Sequence, residues 1–449
     1  MIKKLHFQIE YFISFFKRNF IFIFFGLTLG SLVFIFQDKL ISLPQKPIFY
    51  TKIIGIEGRY SLDNLPSQVT NLITQSLIIH SSNNKPLPSD LVDSFEIENE
   101  HKDYIFHLKK DISWHNGKKF DSSDINYQIP GLEISPIDKY TLKISTQDAF
   151  SPLLSLLDRP LFLKNLIGLG DYFVKKIQYQ YDHVKSITLE PKDKNKNKII
   201  FRFYPNQKDL ITAFQLGEVD EIQVNQIPSE LTNQKKIQID QTIQTNNYYI
   251  AIFLNTGEEK KFENKQLRQS LAYATDKTTD KNERCLGPIS PNSWAYNSAV
   301  KQYNYDPQRA KELLSDSAID IKTINLSISS RDLLALAEEI KKSWKDTLNI
   351  DTSITVKSQI DQENFEAILG FYSIPLDPDQ YPLWHSTQNQ GNLSHLKDER
   401  IDKLLEEGRQ IFDLQERKRV YLDFQKYLLE ESPAIFLSYP TVYTINRLK

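Results

Sequence analysis

The feature that most constrains this chain is an uncharged apolar stretch near its start. Residues 19–37, NFIFIFFGLTLGSLVFIFQ, contain no charged side chain. About 20 apolar residues, each rising about 1.5 Å in a helix, cross a hydrocarbon core of about 30 Å. The stretch is apolar all round, which is typical of a membrane span and not of an amphipathic surface helix. The sequence therefore predicts a transmembrane anchor over residues 19–37.

The flanking residues predict how this anchor is oriented. Four basic residues precede it: Lys3, Lys4, Lys17 and Arg18. By the positive-inside rule, residues 1–18 are expected in the cytoplasm and everything after the anchor outside. The stretch has no small-residue cleavage site and no cysteine for lipid attachment, so we expect it to stay uncleaved. Residues 38–50 form a proline-containing linker, and the predicted location is a single-pass cell-membrane protein whose bulk is extracellular or periplasmic.

Composition bounds what the remainder can do. A chain of 449 residues with 40% hydrophobic residues can bury a large interior and suggests two or three packed units. Its formal net charge of −2 gives no global field that would attract nucleic acid. A single cysteine, Cys285, excludes an intramolecular disulfide framework and a cysteine-rich metal site.

Hydrophobic periodicity alternates between the strand and helix types. The run NNYYIAIFLNT from Asn246 is apolar on both faces, which predicts a strand in the middle of a sheet. Asp306 followed by Pro307 predicts a helix start, and Asp413 with Glu416 predicts the start of a last helix. Residues 330–348 carry an apolar stripe at helical spacing. Residues 433–439 read as a final strand. Mixed segments of this kind predict an α/β fold with two lobes.

The enzyme hypothesis finds little support. The sequence has no nucleophile elbow, P-loop or His-Glu-x-x-His motif, and its histidines are not at metal-ligand spacing. Asp377 and Asp379 flank Pro378, which favours an Asx-type turn over acid–base catalysis. An exported hydrolase using Asp377 or His385 remains an alternative.

The stretch from Phe371 to His385 is rich in aromatic residues and is broken by prolines. Aromatic side chains suit the recognition of flexible ligands, and prolines stiffen a loop in advance. The same composition also fits an aromatic loop of the core. The residues alone leave both interpretations open.

Four stretches, taken in order, resemble a known family. DYIFHLKKDISWHNGKKFDSSDI begins at Asp103, and NNYYIAIFLNTGEEKKFENKQLRQSLAYATDK begins at Asn246. YNYDPQRAKELL begins at Tyr303, and FEAILGFYSIPLDPDQYPLWHSTQNQGN begins at Phe365. Together they resemble the family 5 extracellular solute-binding proteins, the peptide-, nickel- and sugar-capturing receptors of ATP-driven importers. The resemblance covers residues 52–445.

This resemblance implies a two-lobe fold of the periplasmic-binding-protein type (type II, cluster C-like). The lobes would comprise residues 51–245 with 436–449, and residues 246–435. The implied mechanism is a clamp that closes on its ligand, without catalytic residues, cofactor or metal.

The resemblance also implies the function and the partners. We expect a membrane-anchored monomer that captures oligopeptides in a cleft between the lobes and delivers them to the permease and ATPase subunits of an ABC importer. Alternatives are a sensor that presents its ligand to a partner, and a cargo of nickel chelate or oligosaccharide.

Candidate ligand-binding residues are carried over in the same way. Ile374 stands where peptide-binding relatives have an aspartate facing the ligand amine, which weakens the case for strict recognition of a charged N-terminus. Tyr372 and Arg159 match cleft positions of the nickel-binding branch. The full set of candidates is Tyr60, Arg159, Tyr249, Trp294, Tyr372, Ile374, Asp377, Trp384 and His385.

Overall fold

The computed structural model describes residues 18–21, 24–26, 28, 30–31, 51–232, 236–278, 282–357 and 361–448. The chain divides into two compact units, residues 1–50 with 195–197, and residues 51–194 with 198–449. The described residues of the N-terminal segment are helical, and the Thr28 hydroxyl donates to the Phe24 carbonyl (2.9 Å). Among the residues described, none of the helices combines the length and the apolar character that membrane crossing requires. Residues 1–17, the linker at 38–50 and much of the predicted anchor at 19–37 lie outside the described residues.

The body alternates strands and helices. The strands are β1 (Lys52–Glu57), β2 (Ile78–His80), β3 (Pro86–Pro88), β4 (Val92–Glu98), β5 (Asp103–Leu108), β6 (Leu132–Asp138), β7 (Thr141–Thr146), β8 (Tyr172–Gln180), β9 (His183–Pro191), β10 (Ile199–Tyr204), β11 (Glu221–Val224), β12 (Ile237–Ile243), β13 (Tyr248–Leu254), β14 (Glu283–Arg284), β15 (Thr323–Ile328), β16 (Asp351–Val356), β17 (Ala367–Ser373), β18 (Ala434–Tyr439) and β19 (Thr441–Arg447). The helices are α1 (Ser67–Ile73), α2 (Leu153–Leu156), α3 (Gln207–Gln215), α4 (Lys265–Ala274), α5 (Pro307–Asp316), α6 (Leu334–Leu348), α7 (Tyr381–Trp384), α8 (Glu399–Gln410) and α9 (Leu414–Glu431). Short 3₁₀ turns cover Leu62–Asn64, Ser122–Asp124 and Arg331–Leu333.

The first lobe is organised by a seven-stranded sheet in the order β12-β19-β11-β1-β10-β9-β8. Its centre is parallel, with β1 between β10 and β11. Helix α3 packs directly on β1, because a Cβ placed on Gly55 would lie 2.5 Å from Leu210 Cδ1. A glycine on the central strand therefore sets the distance between this helix and the sheet.

The second lobe is organised by a six-stranded sheet in the order β14-β18-β13-β17-β15-β16. The prediction for the run from Asn246 is confirmed, since β13 lies between β18 and β17 and is buried from Tyr249 to Leu254. Its side chains alternate between two cores. Ile250, Ile252 and Leu254 pack with the face covered by α4, α5 and α6, while Tyr249 and Phe253 pack with the face covered by α8 and α9.

The predicted helix starts are also confirmed. Asp306 caps α5 by accepting from the Arg309 amide (2.9 Å), and Asp413 caps α9 by accepting from the Glu416 amide (2.9 Å). Each cap satisfies a backbone donor that the first turn of a helix leaves free. The apolar stripe of residues 330–348 becomes the 3₁₀ turn and α6.

Two short segments carry the chain between the lobes. Residues 244–247 link β12 to β13, and Pro440 links β18 to β19. The first segment contains the predicted boundary between residues 245 and 246. The second predicted boundary, between 435 and 436, falls inside β18, whose pairing with β13 keeps that strand in the second lobe until Pro440.

A third, smaller sheet has the order β4-β5-β7-β6 and is inserted in the chain of the first lobe. Its core includes Tyr104, Phe106, Trp114 and Phe120, all buried. We call this part, residues 77–169, the four-stranded subdomain.

Candidate functional site

The carboxylates of the loop at residues 376–392 are held by arginines. Asp377 is nearly buried and accepts two hydrogen bonds from Arg417 of α9 (2.6 and 2.9 Å). Asp379 accepts from Arg409 of α8 at 2.8 to 3.1 Å. Two-point contacts of this kind fix geometry as well as charge. Each carboxylate is therefore committed to an internal partner.

The turn predicted around Pro378 is present as well. The Asp379 amide donates to the Asp377 carboxylate (2.9 Å), and the Tyr381 amide donates to the Asp379 carboxylate (3.1 Å). Burial alone would lower the pKa of Arg417, but the Asp377 carboxylate raises it above its usual value. A carboxylate locked to a permanent cation is a poor general base, so this pair is structural.

The aromatic candidates of the second lobe form a stacked group behind this loop. Trp384 is fully buried and stacks on Phe253 at 5.2 Å between ring centroids. Tyr249 is also buried and lies 5.7 Å from the ring of Tyr372. Burial raises the pKa of both Tyr249 and Tyr372, as expected for hydroxyls removed from water. These residues belong to the core of the second lobe.

His385 is enclosed by the same loop. Its ring stacks on Tyr381 at 4.0 Å, its Nδ1 lies 2.8 Å from the Thr387 hydroxyl, and its Nε2 lies 3.2 Å from a Glu406 carboxylate oxygen. Within the described ranges, no group of three or more His, Cys, Asp or Glu side chains is arranged to hold a metal ion. The surroundings of His385 thus fit a packed histidine.

Ile374 and Trp294 lie at the edges of this core. Ile374 is buried, and its amide donates to the Asn247 carbonyl in the first crossing segment (2.9 Å). The guanidinium of Arg417 lies 5.5 Å from the ring of Trp294. Ile374 therefore ties β17 to a crossing segment and places no charge there.

A cavity of about 480 Å³ opens between the two lobes. The first lobe and the second crossing contribute Asn225, Gln226, Ile227, Pro440, Thr441 and Tyr443, and the second lobe contributes Ile250, Asn282, Asp332, Leu333, Ala335, Leu336, Glu339 and Phe371. This volume suits a small to medium ligand, and the lining mixes amides, carboxylates and aromatic rings. None of the nine predicted candidates is among these lining residues.

The lobes touch at one side of this cavity. The Asn225 amide donates to the Asp332 carboxylate (3.1 Å), and the Gln226 amide donates to the Asp332 carbonyl (3.4 Å). Burial and then the charge of Asp332 raise the pKa of Glu57, at the end of β1. Glu57 of the first lobe is therefore subject to the negative charge of Asp332 of the second lobe.

Tyr60 lies beside this region in the first lobe. Its hydroxyl donates to the Glu57 carbonyl (2.9 Å), and its ring lies 5.1 Å from that of Phe203. Burial, then Glu57 and Tyr248, raise the pKa of Tyr60. Tyr60 of the first lobe is thus electrostatically coupled to Tyr248, the first residue of β13 in the second lobe.

Arg159 is exposed, and its carbonyl accepts from the Tyr127 hydroxyl (3.0 Å). Its neighbours Asp158 and Pro160 line a second cavity of about 340 Å³ in the first lobe, together with Gln75. Ligand contact by the nine candidate residues stays a prediction.

The sequence analysis missed the residues that organise this region. Arg409 and Arg417 lie on helices far along the chain from the acids they hold, and Asn225 and Asp332 meet only because two lobes approach. Strand-end amides and a helix-start aspartate are frequent in any α/β chain, so no local signal distinguished them.

The arrangement defines a class: two α/β lobes, joined by two short crossings, with a cavity between them. Solved structures share this fold. NikZ from Campylobacter jejuni in complex with Ni(L-His) superposes with a TM-score of 0.73 at 21% identity, covering 88% of this chain and 94% of that one. AppA from Bacillus subtilis in complex with a nonapeptide gives 0.71 at 18% identity, covering 89% and 94%.

Sequence comparison then gives the family. Residues 128–393 match the family described as bacterial extracellular solute-binding proteins, family 5 Middle. The chain belongs to this family, which confirms the resemblance. Among curated relatives, oligopeptide-binding protein AppA of Bacillus subtilis is 22% identical over 463 residues, covering 85% of this chain and 83% of that protein. Heme-binding protein A of Haemophilus influenzae is 22% identical over 479 residues, covering 87% and 84%.

Proposed function

We propose that this protein is the substrate-binding component of an ABC importer, which captures oligopeptides between its lobes and delivers them to permease and ATPase subunits. The observation that carries the proposal is the interlobe cavity in a member of a solute-binding family. Relatives named for oligopeptide and dipeptide binding match most of the chain, which supports a peptide ligand.

The lining of the cavity suits such a ligand. The side-chain amides of Asn225 and Gln226 offer donors and acceptors that a peptide backbone can use, and Phe371 offers an apolar face. Few of these contacts demand a particular side chain on the ligand. Broad specificity for sequence follows.

A nickel chelate is the second candidate. It is favoured by the similarity to NikZ, whose structure contains Ni(L-His). A chelate carries its own metal ligands and needs only shape and hydrogen bonds from the protein.

Calorimetric titration of the full chain in detergent separates these candidates. Peptide pools of two to nine residues, Ni(L-His) and an oligosaccharide mixture are the probes. Saturable heat with peptides alone supports the proposal, and heat only with Ni(L-His) transfers it to the second candidate. No heat with any probe contradicts both.

A paired substitution tests the position of the site. Phe371→Ala removes an aromatic side chain that lines the cavity, and Phe95→Ala removes a comparable, partly buried side chain from the four-stranded sheet. Losing one well-packed aromatic contact costs roughly tenfold in affinity. We expect that loss for Phe371→Ala and none for Phe95→Ala, and equal affinities would place the site elsewhere.

We also propose that residues 19–37 anchor the protein in the cell membrane as a single-pass helix, with residues 1–18 in the cytoplasm and the lobes outside. The uncharged stretch and its basic flank support this. The full chain should stay with membranes after an alkaline carbonate wash, and a chain lacking residues 1–37 should be released.

The neighbouring genes separate import from the sensor alternative. Adjacent genes for a permease and an ATPase would favour import, and a gene without such neighbours would favour the sensor.

A further inference from the structure

A set of contacts joins the four-stranded subdomain to the junction between α8 and α9 in the second lobe. The ring of His101 stacks on the ring of Phe412, with centroids 3.9 Å apart and planes at 22°. The Ser151 amide donates to the Arg409 carbonyl (2.8 Å), and the Ser151 hydroxyl donates to the Gly408 carbonyl (3.0 Å). Elements distant in sequence and belonging to different lobes therefore meet at one place.

The hydrogen bonds complete a helix end. Gly408 and Arg409 lie in the last turn of α8, where the carbonyls find no amide donor within the helix. Ser151 of the first lobe supplies two of the missing donors. When the lobes separate, the Arg409 carbonyl loses the Ser151 amide, while the Gly408 carbonyl loses the Ser151 hydroxyl but keeps its hydrogen bond from Arg417 (2.7 Å).

The residue that supplies the ring contact sits in a strained turn. Asn99, Glu100 and His101 follow one another with φ values of 49°, 52° and 67°. The Lys102 amide closes this β4–β5 turn by donating to the Asn99 carbonyl (3.1 Å). Glycine, asparagine, aspartate and histidine take left-handed positions most readily, so Glu100 is the uncommon occupant of this turn. Three left-handed residues in a row form a backbone that persists only where surrounding contacts hold it, and the ring contact of His101 is such a contact.

The second-lobe half of the contact is firmly supported. Arg409 is held by Asp379 through its two-point ion pair, and its guanidinium also lies 5.4 Å from the ring of Phe150, next to Ser151. The α8–α9 junction is thereby coupled to the loop at residues 376–392. A displacement of the subdomain therefore acts on a junction that the Arg409–Asp379 ion pair holds in place.

We propose that His101, Ser151, Gly408, Arg409 and Phe412 form an interlobe clasp that holds the two lobes closed and breaks when they open. The crossings at 244–247 and Pro440 are covalent and persist in any arrangement of the lobes. Hinge opening must break non-covalent contacts between the lobes away from the crossings. The clasp sets the fraction of closed conformer in the absence of ligand. A larger closed fraction raises the apparent affinity for ligand, and a smaller one lowers it.

Distance measurement between the lobes tests the clasp without ligand. Nitroxide labels are attached through Glu133→Cys in the subdomain and Asp346→Cys on α6, both exposed positions, while native Cys285 is fully buried. Double electron–electron resonance then gives the populations of closed and open conformers. His101→Gly removes the ring and relieves the turn, Phe412→Ala removes the partner ring, and the double variant combines them.

Tyr181→Gly is the matched control. Tyr181 also occupies a left-handed turn position (φ 57°), in the β8–β9 hairpin, and is 91% exposed. The substitution thus repeats the loss of a ring and the relief of strain at a turn outside the clasp.

Each clasp variant should raise the open-to-closed ratio by roughly two- to tenfold, the size of one aromatic contact. The double variant should match either single variant, because both remove the same contact. Distances equal to those of the unsubstituted protein and of Tyr181→Gly would overturn the proposal, as would additive effects in the double variant. If Phe412→Ala fails to fold, His101→Gly at an exposed position carries the test.

The clasp rests on the proposed function only in that binding proteins open and close. Its test uses no ligand, so a clasp variant that opens the lobes supports the clasp even if peptides do not bind. A peptide that binds while clasp variants leave the distances unchanged overturns the clasp alone.

Discussion

Burial changes what a charged pair contributes, and Asp377 with Arg417 shows how. Both side chains are almost removed from solvent, and two hydrogen bonds join them at 2.6 and 2.9 Å. Arg417 also donates to the Gly408 carbonyl (2.7 Å), the same carbonyl that Ser151 reaches. This pair therefore supports the loop, the helix junction and the clasp together.

Asp377→Ala should destabilise the protein by about 3–5 kcal/mol, because it leaves the Arg417 charge buried without its partner. The free energy of unfolding in urea measures this. Glu258→Ala is the control: it breaks a pair of similar length with Lys397 (2.9 Å), but both side chains are largely exposed. Little change is expected there. Equal losses in the two variants would show that burial gives the Asp377 pair no special weight.

At the scale of elements, the loop around α7 is fixed by close backbone approach. A Cβ on Gly391 would lie 1.7 Å from the Pro382 carbonyl oxygen, so only glycine allows the end of the loop to pass α7. The side chain of Asn392, which is only 2% exposed, then donates to the Leu396 carbonyl (2.8 Å) and closes the loop. The loop is thus a packed unit and not an open rim.

Gly391→Ala should cost about 1–3 kcal/mol, because the obstacle is backbone and cannot rotate away. Thermal or urea unfolding measures it. Gly287→Ala serves as the control, since its nearest neighbour, Leu429 Cδ1, would be 3.8 Å from the new carbon, an ordinary contact. An unchanged stability in Gly391→Ala would mean that the loop can shift freely.

At the scale of the whole molecule, the two lobes present like charges to each other. Glu57 ends the central strand of the first sheet, and Asp332 lies in the turn that starts α6 of the second lobe. The Asn225 amide partly offsets Asp332 with a hydrogen bond. Closure therefore brings two carboxylates together at a cost that protonation relieves.

Closure should depend on pH through Glu57. Burial and Asp332 raise its pKa above the ordinary 4.5 in this structure, where the two lobes are in contact. The stabilisation from protonated Glu57 is then complete below 4.5 and is lost as pH rises through the raised pKa. Interlobe distances measured from about pH 4 to about pH 7 should lengthen with pH, and Glu57→Gln should reduce that change. Glu312→Gln, at an exposed position of α5, is the control, because residue 133 carries one of the labels. Coinciding profiles for Glu57→Gln and the unsubstituted protein would contradict this account.

Local patterns predicted the elements well where a single segment contains the whole signal. The buried strand β13, the capped helices α5 and α9, and the turn at Asp377 each depend on residues that are neighbours in the chain. The C-terminal boundary of the second lobe was harder to predict from the sequence, because Ala434–Tyr439 is equally apolar whichever sheet it joins. Pairing with β13 decided it.

By itself, the sequence determined the α/β class, the family and the expectation of a bound solute, since periodicity, capping residues and ordered motifs are written in consecutive residues. Tertiary structure alone decided which polar side chains face the crevice. Asp377 and Trp384 are residue types common in binding sites, but they contact Arg417 and Phe253 inside the second lobe. Asn225, Asp332 and Phe371 line the cavity between the lobes instead. The physical reason is that a cleft is formed by surfaces from distant parts of the chain, and no stretch of sequence contains both sides of it.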